Sequence, residues 1–182
     1  MEKHWKPTRE QIQAARKKTV PDVIASDLRV LFCGINPGLY TAAVGHHFAR
    51  PGNRFWPALH HAGFTKTQLS PFDEKELLKS GIGITNFVAR ATASANELSQ
   101  EELRRGGESL KQKIREYRPK ALAVLGIGAY RKAFGDRYAK PGRQFEKLED
   151  SELWVIPNPS GLNANYRLGD IVRILGELKK GL

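Results

Sequence analysis

Four short, mostly apolar runs punctuate the chain: 28–34 (LRVLFCG), 82–88 (IGITNFV), 121–125 (ALAVL) and 153–156 (LWVI). Each has the length of a strand. Apolar residues without strict alternation mark strands buried on both faces. Between the runs the spacing changes to that of helices. Phe55, Trp56 and Leu59 form one apolar face, Leu103, Leu110, Ile114 and Tyr117 a second, and Leu168, Ile171, Leu175 and Leu178 a third. Strands alternating with amphipathic helices predict an α/β domain.

Capping signals set the expected helix bounds. Thr8 with Gln11 opens a short helix running to about Lys18, and Asn53 caps a helix over 54–62 that Gly63 stops. Asp73 with Glu76 reads as a capping box for a helix to Lys79, ended by Gly81. Ser99 with Glu102 opens a helix to Tyr117, whose middle is weakened by Gly106-Gly107 for no reason visible in the sequence. Gly126-Ile127-Gly128 leads into a helix to Phe134, and the last helix is expected over 166–179. Segments 39–52 and 135–148 read as loops. Residues 1–27 read as a basic N-terminal arm and 28–182 as a single domain, without repeats or low-complexity tracts.

Two of the strands end alike. The first breaks into Gly34-Ile35-Asn36-Pro37-Gly38, and the last into Pro157-Asn158-Pro159-Ser160-Gly161-Leu162. Glycine and proline so close together force rigid turns. In a parallel sheet both turns emerge on one edge, where ligands sit in open α/β folds. The bland reading is two structural turns, each with an asparagine suited to tight geometry. Gly126 and Gly128 have a similar double reading: exposed N–H groups for a phosphate, or close strand–helix packing.

The formal charge is +11, from 30 Lys and Arg against 19 Asp and Glu, which favours a polyanionic partner. The single cysteine, Cys33, falls inside a strand, so neither an internal disulfide nor an iron–sulfur cluster is expected. No apolar run has the roughly 20 residues of a membrane span, and the stretch from Met1 to Lys6 lacks a signal-peptide core. The expectation is a cytoplasmic, nucleoid-associated protein. His46-His47 and His60-His61 have no Asp, Glu or Cys at ligand spacing, so no metal is expected.

GINPG, then Phe48-Ala49-Arg50-Pro51-Gly52-Asn53-Arg54-Phe55-Trp56, then NPSGL, resembles the mismatch-specific uracil and thymine DNA glycosylases of the uracil-DNA glycosylase superfamily. The likeness spans residues 28–162. It implies a three-layer α/β/α fold around a mainly parallel sheet, here of four strands, acting without a cofactor. The implied partner is double-stranded DNA containing uracil or mismatches, bound by a monomer. The implied activity is hydrolysis of the bond between a flipped base and its sugar, in the first step of base excision repair. Asn36 then aligns the water; an amide cannot take its proton. Phe48 stacks on the base, with Ile35 in the same wall. Tyr40 and Thr41 are expected beside its C5 position, and Asn86 at its edge or the sugar. Asn158, Ser160 and Gly161 contact base edge and phosphate, Gly126 and Gly128 a phosphate, and Leu162 is the wedge that fills the stack. Ala164 stands where the family often has an arginine.

Two readings from other classes stay open at this stage. One is a DNA-binding module that recognises mismatched or damaged bases without cutting, because segment 90–95 (RATASA) and the GINPG turn carry no carboxylate. The other is a nucleotide-binding protein using Gly126-Ile127-Gly128, which lacks the full glycine fingerprint.

Overall fold

The computed structural model describes residues 5–182; Met1 to His4, including Lys3 of the basic arm, lie outside them. Strands β1 (Val30–Gly34), β2 (Ile82–Asn86), β3 (Ala121–Leu125), β4 (Gly142–Arg143) and β5 (Glu152–Ile156) form one sheet in the order β2-β1-β3-β5-β4. The first three and β5 run parallel, and β4 is antiparallel to β5. The expected four-stranded sheet is therefore corrected to five. The fifth strand is two residues long and has no apolar pattern, so only its pairing opposite Trp154 and Val155 defines it.

Alternate residues of the strands feed two cores. Val30 and Phe32 point to the side covered by α3 (Phe55–His61) and α6 (Leu168–Gly181). Leu31 and Cys33 point to the side covered by α4 (Gln100–Tyr117) and α5 (Ile127–Phe134). These are the three layers the sequence predicts. Burial pushes the Cys33 thiol well above its ordinary range, as expected of a small core residue.

Several local readings change. Segment 39–52 is not all loop, because α2 (Leu39–Val44) forms there and ends at Gly45 with φ 84°. Ala42 of α2 packs against Ala15 and Ala91, which also seats the N-terminal α1 (Arg9–Ala14) on the domain. The box read as starting at Asp73 starts at Ser70: the Asp73 carboxylate accepts from the Ser70 N–H at 3.0 Å and its hydroxyl at 2.6 Å. Pro71 presets the first turn, and the segment Pro71–Ser80 is a 3-10 helix. The last helix begins at Leu168 rather than Tyr166, with Asp170 accepting from the Arg167 N–H at 2.7 Å.

Gly106 has its reason in another segment. A Cβ there would lie 2.4 Å from the carbonyl oxygen of Phe87, so glycine lets α4 lie directly on the chain leaving β2. The outer edge of β2 is covered in turn: Val23 exchanges backbone hydrogen bonds with Ile84 at 2.9 and 2.7 Å. Asp22 beside it accepts from the Thr85 hydroxyl and the Lys113 ammonium.

The histidine pair is scaffold. His46 Nδ1 lies 2.9 Å from Glu74 Oε1, the His47 N–H donates to Glu74 Oε2 at 2.8 Å, and His47 Nε2 donates to the Pro21 carbonyl at 2.9 Å. Glu74 and His47 are both buried. Among the described residues no group of three His, Cys, Asp or Glu comes together to hold a metal.

Two predictions follow from packing. Gly106→Ala should lose about 1–3 kcal/mol of stability through the clash with Phe87. Gly176→Ala, in α6 with open space around the new methyl, should gain about 0.5–1 kcal/mol. Chemical denaturation of both variants checks the opposite signs.

Burial lowers the pKa of His47 below the usual histidine value, against a smaller opposing effect of its bond to Pro21. The fold holds the imidazole neutral, so the unfolded chain takes up the proton first. Its contribution is complete above about pH 6.5 and is lost as the pH falls through the lowered folded value. Melting temperatures from pH 7.5 to 5.5 should therefore fall, and fall less steeply for His47→Gln. Equal slopes would clear His47 of the effect.

Candidate active site

Parallel strands deliver their exits to one edge. The exits of β1, β2, β3 and β5 together line a cleft of about 590 Å³. The β1–β2 pairing continues into the cleft wall. Phe87 N–H donates to the Gly34 carbonyl at 3.0 Å, Val88 N–H to Ile35 at 3.1 Å, and Thr92 N–H to Pro37 at 3.1 Å. The turn around Asn36 is thus tied along its length to the chain leaving β2.

Asn36 is fixed by its own side chain. Nδ2 donates to the Thr92 hydroxyl at 2.8 Å, the Arg90 carbonyl at 3.0 Å and the Pro37 carbonyl at 3.2 Å. Two of these partners can only accept, so the nitrogen must face them. Oδ1 is left without a partner among the described residues, on a side chain that lines the cleft. Behind it, the Arg90 guanidinium grips Glu102, with Nε to Oε1 at 2.6 Å and Nη2 to Oε2 at 3.0 Å. Arg90, with the cap hydrogen bond from the Ser99 N–H, pulls the Glu102 carboxyl down to about 2. The N-terminal cap of α4 therefore also steadies the carbonyl that holds Asn36.

Opposite the turn stands Phe48, stacked on Phe55 with centroids 4.1 Å apart. Its φ of 55° lies in the left-handed region, and the His47 anchors hold the backbone there. Gly34 makes the floor: a Cβ would lie 2.4 Å from Asn86 Oδ1 and 3.4 Å from Phe48 Cζ. Asn86, Phe48, Ile35 and Thr41 all line the cleft, and the Asn86 carboxamide has no hydrogen-bond partner among the described residues. Tyr40 lies outside the lining.

The loop after β5 closes the other side. Asn158 Oδ1 accepts from Ser160 N–H at 3.0 Å, Ser160 Oγ from Leu162 N–H at 3.3 Å, and Asn163 Oδ1 from Asn165 N–H at 3.2 Å. Successive side-chain turns leave Leu162 74% exposed at the rim. Asn158, Ser160 and Leu162 line the cleft; Gly161 does not, and packs on Gly52, where a Cβ would lie 2.7 Å from the carbonyl oxygen. Gly126 and Gly128 line it as well. Gly126 has φ 150° and close contact with Ile35, which accounts for that glycine by packing.

Sequence reasoning missed Thr92, Arg50 and Lys132, which the fold brings to the same walls. Arg50 and Lys132 are the charged residues of the lining; no Asp or Glu is among its described residues. Arg50 lies within the FARPGNRFW stretch, which could have drawn attention to it. Lys132 and Thr92 carry no local signal.

Known proteins agree with this architecture. The solution NMR structure of a Methanosarcina acetivorans protein, provisionally described as a uracil DNA glycosylase, superposes with a TM-score of 0.55 at 18% identity. The match covers 90% of this chain and 98% of that one. The sequence model of the uracil DNA glycosylase superfamily matches residues 21–179. The chain belongs to that superfamily, whose members are hydrolases that cleave bases from DNA.

Proposed function

We propose that the protein is a monofunctional, mismatch-specific uracil-DNA glycosylase, cutting the glycosidic bond of a flipped uracil in G-mismatched duplex DNA. The observation that carries this reading is the Asn36 carboxamide, anchored through its nitrogen and open at its oxygen. That oxygen accepts a hydrogen bond from a water and so turns a water lone pair toward the sugar carbon. Phe48 offers the flipped base an aromatic face, Asn86 offers its edge a donor and an acceptor, and Leu162 enters the vacated stack.

Among the described residues of the lining no carboxylate can take the water's proton. Bond breaking therefore runs ahead of water attack, giving an oxocarbenium-like sugar and an anionic base; water then bonds to the sugar carbon, and the proton it gives up passes to the departed base anion or to solvent. Arg50 and Lys132 make the cleft favourable to negative charge, on the phosphates and on the departing base. The barrier then follows how readily the base carries that charge.

Single-turnover excision should run fastest for 5-fluorouracil, then uracil, then thymine, and faster opposite G than opposite A, since a weaker pair costs less to flip. Asn36→Ala should slow uracil excision by at least about a hundredfold while the protein remains folded. Labelled U·G duplex treated with enzyme and then alkali measures each rate. No cleavage by the wild type, or equal rates for the three bases, would refute this mechanism.

A further inference from the structure

Arg54 is the densest link between the two sides of the cleft mouth. Its backbone N–H donates to the Pro159 carbonyl at 2.8 Å. Its guanidinium donates to three more carbonyls of the same loop: Nη1 to Tyr166 at 2.6 Å and to Asn163 at 3.0 Å, and Nη2 to Gly161 at 3.3 Å. Gly161 rests on the Gly52 carbonyl nearby, so the segment before α3 and the loop after β5 meet face to face.

The geometry bears on Leu162. The residue is 74% exposed, so packing does not orient it. Its direction is set by the backbone around it, and one guanidinium holds that backbone on both sides: at the Gly161 carbonyl, in the peptide unit before Leu162, and at the Asn163 carbonyl, one unit beyond the peptide that follows it. A planar fork of five N–H donors suits several carbonyls at once; an ammonium on a flexible stem does not.

We propose that Arg54 is a positioning residue that presents Leu162 to the duplex. It rests on the reading of Leu162 as the wedge. A leucine held in its inserting direction before contact loses less freedom on binding than one on a loose loop. A single strand has no stack to fill, so excision from it does not call on this device.

The experiment compares wild type, Arg54→Ala, Arg54→Lys, Leu162→Ala and the Arg54→Ala/Leu162→Ala double variant. Excision is timed on uracil in a single strand and in a U·G duplex, and affinity is measured for a duplex holding a tetrahydrofuran abasic analogue. Arg54→Ala should slow duplex excision about tenfold, the scale of lost charge-assisted hydrogen bonds, and change single-strand excision by less than about twofold. Arg54→Lys should recover only part of the loss. The double variant should match Leu162→Ala on the duplex within about twofold, because both changes disable one device. Equal losses on single and double strands, or losses that multiply in the double variant, would overturn the proposal. If the wild type cuts no uracil, the proposed function fails. Arg54 is then judged on the abasic duplex alone: weaker binding in both single variants and no further loss in the double supports it, and independent losses overturn it.

Discussion

The hydrogen bonds that carry the β1–β2 ladder past the end of the sheet are what the site depends on. Strand exits in parallel sheets are ordinarily loops, free to vary. Here Gly34, Ile35 and Pro37 stay bonded to Phe87, Val88 and Thr92, so two exits behave as one rigid wall. Asn36 lies within that wall and adds a bond to the carbonyl of Arg90 and another to the hydroxyl of Thr92. An amide on a mobile turn would sample many directions. Held on three acceptors, it keeps one, and its oxygen has a fixed place in the cleft.

That rigidity is supported from behind by residues far from the cleft. Gly106 lets α4 lie against the Phe87 carbonyl, and the cap of the same helix, Glu102, holds Arg90. Arg16, next to α1, meets Glu97 at 2.6 Å, and Lys18 accepts from the Ala91 N–H at 3.2 Å. Residues 15–23 thus form part of the support for the loop that anchors Asn36, although their composition reads as a basic arm. Lys17 and Lys18 of the same segment stay exposed.

The legible parts of the fold were those that local composition dictates. Mostly apolar runs mark the four long strands because burial on both faces demands them. Ser99 with Glu102 marked a helix start because both partners lie within one turn. What stayed hidden depends on partners distant in sequence. Gly142–Arg143 is a strand only because β5 lies beside it. Gly106 looked like a defect because Phe87, its reason, is on another element. In the site, Asn36, Phe48 and Leu162 were named through motifs, whereas Thr92, Lys132 and the grip of Arg54 arise where segments cross. The family resemblance puts Tyr40 beside the cleft together with Thr41. In a helix, adjacent residues point about 100° apart, and only Thr41 lines the cleft.

The placement of acids suggests why an amide suits this position. The protein keeps 19 carboxylates, and those near the cleft do structural work: Glu74 clamps the histidines before Phe48, and Glu102 grips Arg90. A carboxylate at position 36 would present oxygen to the carbonyls of Arg90 and Pro37, where the amide presents N–H. Two acceptors face to face repel, so an acid could sit there only protonated or turned away. It would also add negative charge to a cleft whose charged lining residues, among those described, are Arg50 and Lys132. The hydrogen-bond frame that fixes the residue therefore selects against a general base at that point. What the frame leaves at that point is an amide oxygen held in one direction, in a cleft lined by Arg50 and Lys132.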